Sequence, residues 1–361
     1  MLAPAGGGVY LFSTGKAAQR AVQRRIYRLS DDADDGAIEA AHRRVLAAAG
    51  GARVVVLGVP TDTGAGFVRG ANQAPLEIRR HLVERGPDLL GRPEAADVGD
   101  VRVVPHLLAD DMLAEPQIRA CRAALYEDGD VALPVSPLDM ASRALSDLAE
   151  IAPKAVPIVI GGDHSVGWPA FAAAFARAER QGMRLGLLHF DAHTDLLPHR
   201  LGVRICFATW AYHANELLGR DGRLVQVGIR ASGRDRGHWE ASLGVRQIWA
   251  EEARRRPVDD VVAEIVERFE RLGVDAVYVS NDIDGTDPAF AAATGTPEPG
   301  GLSPEQVRGI TRGVLARFPL WGADLVEVAP PLAHEVPGEP ERTLATAAAY
   351  LADYVDAVVA G

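Results

Sequence analysis

The chain of 361 residues carries 38 Lys and Arg against 49 Asp and Glu, a net charge of −11, and 48% of it is hydrophobic. Such a composition can bury a sizeable core and excludes a disordered or fibrous protein, while the acidic balance argues against nucleic acid, whose phosphates require clustered cations. Two cysteines (Cys121 and Cys206) are too few for a disulfide scaffold, no basic-then-apolar leader is read at the N-terminus, and no stretch reads as a membrane span, so the expectation is a soluble cytoplasmic protein with no membrane partner.

Residues 1–50 differ in texture from the rest of the chain. A basic segment with Lys16, Arg20, Arg24, Arg25 and Arg28 leads through Ser30-Asp31-Asp32 into Ala-rich sequence ending at Gly50-Gly51. This predicts two surface helices, the second capped near Ser30 with acidic residues in its first turn. The stretch reads as an N-terminal extension and a candidate for subunit contacts. From residue 51 to 361 one catalytic domain is expected. Short β-branched runs at Val54–Gly58, Ala155–Ile160, Leu185–Phe190, Leu224–Val227, Ala276–Ser280 and Ala323–Val328 predict buried strands. Helix-length stretches at Ala170–Gln181, Val258–Leu272 and Pro304–Ala316 lie between them. The alternation predicts an α/β fold with a mainly parallel sheet covered on both faces, whose ligand site lies beyond the carboxyl ends of the strands.

Four polar segments fall at such ends: Ile160-Gly161-Gly162-Asp163-His164-Ser165, His189-Phe190-Asp191-Ala192-His193-Thr194-Asp195, Ser280-Asn281-Asp282-Ile283-Asp284-Gly285-Thr286-Asp287-Pro288 and Leu325-Val326-Glu327-Val328-Ala329-Pro330. Asp191, His193 and Asp195 stand at i, i+2 and i+4, and extended backbone would aim all three into one cavity; Asp282 and Asp284 repeat the spacing. The glycines before His164 permit close approach of a neighbouring strand. One Asp-x-His pair alone more often caps a helix. Four carboxylates converging with two imidazoles would repel one another and resist ionisation unless cations neutralise them. Two divalent ions match the charge. Oxygen-rich ligands with some nitrogen suit Mn²⁺, with Ni²⁺, Co²⁺ or Fe²⁺ as alternatives, and a pair of such ions can lower the pKa of a shared water.

At these residues the chain resembles the ureohydrolase family, which includes arginase and agmatinase. The resemblance extends to Gly58-Val59-Pro60-Thr61-Asp62-Thr63-Gly64, to Gly70-Ala71-Asn72-Gln73-Ala74-Pro75 with Ile78-Arg79, to Asp97-Val98-Gly99-Asp100-Val101 and to Thr294-Gly295-Thr296-Pro297-Glu298-Pro299-Gly300-Gly301-Leu302. It implies a three-layer αβα sandwich, a binuclear manganese centre and a homotrimer or homohexamer. By motif, one ion takes His164, Asp191, Asp195 and Asp282, the other Asp191, His193, Asp282 and Asp284, with Asp191 and Asp282 bridging. The family's chemistry is hydrolysis at a guanidino carbon or a related C=N carbon. A guanidinium needs a fixed carboxylate to hold it by paired hydrogen bonds, and Glu327 is the candidate. Asp195 is placed to relay a proton to the departing amine. Thr294 and Gly295 are candidate substrate contacts.

Two departures bear on the substrate. The family's loop histidine after Asp195 is missing from the run Leu196-Leu197-Pro198-His199-Arg200-Leu201-Gly202-Val203-Arg204-Ile205-Cys206, leaving His199 or His213 as substitutes. This apolar and basic loop disfavours L-arginine, and Arg200 or Arg204 could pair with a carboxylate tail. Ala292-Ala293 stands where relatives carry Pro-Gly. The expected activity is therefore hydrolysis of a linear, agmatine-like guanidino compound to an amine and urea. The alternatives are a guanidino acid (guanidinobutyrate or guanidinopropionate), a substituted guanidine or biguanide, formimidoylglutamate, or a weakly active metal-binding subunit in a hetero-oligomer with a related chain.

Overall fold

The computed structural model describes residues 1–8, 15–66 and 68–360; residues 9–14, within the N-terminal run read for a leader, lie outside the described residues. Among the described residues nine strands form one sheet: β1 (Leu2–Ala3), β2 (Val54–Gly58), β3 (Ala95–Val101), β4 (Val156–Ile160), β5 (Leu185–Phe190), β6 (Leu224–Val227), β7 (Arg246–Ile248), β8 (Ala276–Asp282) and β9 (Leu320–Val326). Their order is β1-β3-β2-β4-β9-β8-β5-β6-β7. Only β1 runs antiparallel, against β3.

The strands are apolar on both sides because both faces are covered. Along β2, Val54 and Val56 enter one core with Ile78, Ile265, Ile310 and Leu351, whereas Val55 and Leu57 enter the other with Leu145, Phe171 and Trp210. The result is the expected αβα sandwich. The helix Glu341–Ala360 is long and apolar enough to cross a membrane (mean hydropathy 1.2), which corrects the expectation that no stretch has that length; here it lies mostly buried, with Leu344, Ala347, Leu351 and Tyr354 in the core.

The first fifty residues supply the edge strand β1 and two helices, Lys16–Ile26 and Asp35–Ala48. The second helix is capped not near Ser30 but by Asp34, whose side chain accepts from the Ala37 amide at 2.8 Å. Strand β3 escapes a reading based on apolar runs because it carries Asp97, Gly99 and Asp100. Its acids face inward onto Arg79, which is fully buried. Arg79 donates twice to Asp97, both at 2.8 Å, and also to Asp100. At Gly99 (φ 86) a Cβ would fall 2.0 Å from the Ala3 carbonyl oxygen, so glycine lets β1 close on the edge. Two of the segments that carried the family resemblance thus form a structural ion cluster. Arg79→Met should strand two buried carboxylates and cost about 3–5 kcal/mol in denaturant unfolding; a loss under about 1 kcal/mol would mean that the cluster tolerates its own charge.

Candidate metal centre

The strands bearing the four polar segments, β4, β9, β8 and β5, are consecutive neighbours and run parallel, so their carboxyl ends share one edge. Three of these ends close in the same way. The Asp163 carboxylate accepts the Ser165 amide at 2.8 Å, Asp191 accepts His193 at 2.6 Å, and Asp282 accepts Asp284 at 2.8 Å. These are Asx-type turns, which short acidic side chains favour where a strand stops. Asp191–Asp195 is therefore a turn rather than continued strand. β5 ends at Phe190 and Asp195 has φ 52, so its side chains converge by reversal of the chain, not by the alternation expected. At Gly162 a Cβ would lie 1.6 Å from the Thr61 carbonyl oxygen, which accounts for the glycine pair before His164.

All six side chains expected to bind metal come together. His164 Nδ1 lies 3.1 Å from Asp282 Oδ2 and 3.3 Å from both Asp191 Oδ2 and Asp195 Oδ2. His193 Nδ1 lies 3.1 Å from Asp284 Oδ2 and 3.4 Å from Asp191 Oδ1. Asp191 thus faces one imidazole with each of its oxygens, as a bridging ligand must. Donors bound at about 2.1 Å to one ion and at right angles stand about 3.0 Å apart. The observed separations are close to that, so the donor set fits two divalent ions.

Beneath the donors runs a buried polar row that the sequence reading missed. Gln247, Gln226, His189, Ser280 and Asp324 are in register across β7, β6, β5, β8 and β9. His164 Nε2 lies 3.0 Å from Ser280 Oγ, which donates to Asp324 at 2.7 Å. The Ser280 proton being committed to Asp324, His164 must carry its own on Nε2, which leaves Nδ1 as the metal-facing lone pair. On the other side Gln247 donates to Gln226, Gln226 donates to His189 Nδ1, and His189 Nε2 donates to Asp191 Oδ2 at 2.9 Å. His189 groups spatially with His164, Asp191 and Asp195, but with Nδ1 accepting and Nε2 donating it orients Asp191 and has no lone pair for an ion. Trp210, also unforeseen, donates to Asp195 Oδ2 at 3.0 Å and stacks on His164 with ring centroids 4.6 Å apart.

Without ions, protons substitute for them. Burial alone would lower the His193 imidazolium, but Asp284 and Asp191 outweigh it and its pKa is pushed up to about 12; Asp191 and Asp282 likewise raise His164 well above its usual value. Loading the protein with Mn²⁺ near neutral pH should therefore release protons, and apparent affinity should fall about tenfold per pH unit of acidification for each proton displaced. Calorimetry in two buffers of different ionisation enthalpy checks this, and identical heats in both would refute it.

Glu327 follows β9 with φ 61 and is buried. Its Oε1 accepts the His164 amide at 2.8 Å, and no side-chain cation pairs with it among the described residues. Burial and then the neighbouring Asp163 hold its carboxyl well above the usual range. Gly295 is beside it, since a Cβ there would be 3.9 Å from Glu327 Oε2. The Thr294 hydroxyl is buried without a partner among the described residues, and its residue bridges to Val328. The candidate substrate residues are thus neighbours.

A cavity of about 540 Å³, within the usual range for small-ligand sites, is lined by His193 and Asp195 and walled by Leu196, Phe207, Ala208 and Trp239. Neither proposed substitute for the loop histidine lines it. His199 is exposed, and His213 Nε2 lies 3.1 Å from the carbonyl oxygens of Pro198 and Arg204, tying the loop together. Arg204 turns away toward Asp111 at 3.6 Å.

Residues 52–355 match the sequence model of the Arginase family. The guanidinobutyrase of Pseudomonas aeruginosa is 33% identical over 287 residues, 76% of this chain and 78% of that protein. The mitochondrial agmatinase of Gallus gallus is 33% identical over 296 residues, covering 79% and 76%. Among solved structures, the proclavaminate amidinohydrolase of Streptomyces clavuligerus superposes with a TM-score of 0.67 at 30% identity, covering 85% of this chain and 92% of that one. With the sandwich, the turn-closed strand ends and the donor cluster in place, these likenesses settle the lineage: the chain belongs to the arginase family.

Proposed function

We propose that the protein is a binuclear amidinohydrolase that cleaves a linear guanidino compound to an amine and urea, with Mn²⁺ as the first-choice metal and Ni²⁺ or Co²⁺ as alternatives. The observation that carries this reading is the carboxylate of Glu327, buried beside the donor cluster with no cation of the protein's own. A buried carboxylate without a partner is costly, and a guanidinium supplies both the charge and the paired N–H donors.

The ions would be held by His164, Asp191, Asp195, Asp282, His193 and Asp284; when bound they would neutralise the carboxylates and make water nucleophilic at neutral pH. The remaining work falls to the chain. Glu327 fixes the guanidinium plane, and the Thr294 hydroxyl, which has no partner among the described residues, is available to one of its N–H groups. Asp195 Oδ2 is held by Trp210, while Oδ1 takes no hydrogen bond from the described residues. That free oxygen can accept the proton of the attacking water and return it to the departing amine. The test is urea release from a panel of guanidino compounds by protein loaded in turn with Mn²⁺, Ni²⁺ and Co²⁺. Metal bound at two per chain with no urea from any compound would reject the reading.

A further inference from the structure

The lining of the cavity names the substrate's tail. His193 and Asp195 line the cavity, and so do Arg200, Arg234 and His238. Arg200 contacts only the Phe207 ring, 5.2 Å to its centroid, through its side chain, and Arg234 engages Ser232 through its backbone alone; neither has a carboxylate partner among the described residues. Arg204 pairs with Asp111, and Asp235, next to Arg234, is used up capping a helix through the His238 amide at 2.8 Å. Apart from Asp195, no acid lines the cavity.

The cavity lining is thus mixed in charge: Asp195 and His193 of the donor cluster, apolar Leu196, Phe207 and Trp239, and two guanidiniums with no carboxylate partner among the described residues. We infer that the substrate is a guanidino acid whose terminal carboxylate is received by Arg234 and Arg200. The same two side chains repel an ammonium tail, so discrimination against agmatine comes from like-charge opposition as well as from attraction. This inference rests on the proposed ureohydrolase reading and reverses the order of substrates expected from sequence, which put an agmatine-like compound first. Arg204, the other arginine weighed for this task, does not line the cavity and lies 3.6 Å from Asp111 instead.

Three ligands share a guanidino head and a four-carbon chain but differ in the tail: 4-guanidinobutyrate, N-butylguanidine and agmatine. Calorimetric dissociation constants and urea release are measured for each with the Mn²⁺-loaded full chain. The expected order in both readouts is carboxylate, then neutral, then ammonium. A hydrogen-bonded charge pair contributes about 1.5–3 kcal/mol, so Arg234→Met or Arg200→Met should reduce the preference for 4-guanidinobutyrate over N-butylguanidine by about tenfold to a hundredfold, and Arg234→Glu should turn the preference toward agmatine. Both arginines are exposed, so these variants should fold. Agmatine bound as tightly as 4-guanidinobutyrate, or a preference unmoved in both methionine variants, overturns the inference. If urea forms but the order fails, the tail site is wrong and the hydrolase stands; if the binding order holds and none of the three yields urea, the reverse is true.

Discussion

Asp282→Ala should lose one or both metal ions and reduce kcat by a thousandfold or more, which corresponds to about 4 kcal/mol of lost charge stabilisation. Asp282 ends β8, its Oδ2 is 3.1 Å from His164 Nδ1, and its Oδ1 caps the Asp284 amide. Removing it takes a ligand from the His164 group and loosens the turn that presents Asp284 to the His193 group. The stability consequence has the opposite sign. Burial, then the charges of Asp284 and Asp191, raise the Asp282 carboxyl well above its usual pKa, so in metal-free protein this side chain is a source of strain. In chelator the alanine variant should melt at or above the wild-type temperature, whereas the rise in melting temperature that Mn²⁺ gives the wild type, by binding only the native state, should disappear. Metal analysis and melting curves with and without chelator check both halves. A variant that keeps two ions per chain would remove Asp282 from the ligand set.

The sheet and the six donors were legible because their signals are strong and local: apolar runs such as Ala155–Ile160, Leu185–Phe190 and Ala276–Ser280, each leading into a segment with Asp and, in the first two, also His. What escaped was the support beneath the donors. Gln226 and Asp324 are single polar residues inside apolar strands, Gln247 sits in the three-residue β7 and Ser280 opens a polar segment, and nothing local says that they lie in one register row across five strands. The available signal was their depth: a fully buried amide or hydroxyl in a parallel strand must find a partner. His189 could have been found from spacing, since it extends the Asp191, His193, Asp195 series by one step backward. Trp210 could not, because its contact with Asp195 depends on how the loop 196–209 folds back. Strand β3 was obscured by Asp97 and Asp100, whose partner Arg79 is distant in sequence. The alternation argument for Asp191–Asp195 reached the right convergence by the wrong geometry, because an Asp at a strand end captures the amide two residues on and turns the chain.

Glu327→Gln separates substrate capture from metal binding. Glutamine keeps a carbonyl oxygen for the His164 amide, which Glu327 Oε1 now accepts at 2.8 Å, so the loop bearing His164 should hold its place and metal content should stay at wild-type level. What is lost is the charge, and with it the second acceptor of a paired hydrogen bond: the amide would present an N–H to a guanidinium that has only N–H groups to offer. Charge-assisted hydrogen bonds contribute about 1.5–3 kcal/mol, and a bidentate pair with one partner turned repulsive should lower kcat/KM by about two to three orders of magnitude. Because the carboxylate also fixes the guanidinium plane relative to the attacking water, kcat should fall along with the rise in KM. Burial and Asp163 already disfavour the charged carboxylate, so metal-free glutamine variant should be at least as stable as the wild type. Steady-state urea kinetics at matched metal occupancy decide the matter. Unchanged kcat and KM would move the guanidinium away from Glu327, and loss of metal would make Glu327 a support of the ligand loop instead of a seat for the substrate.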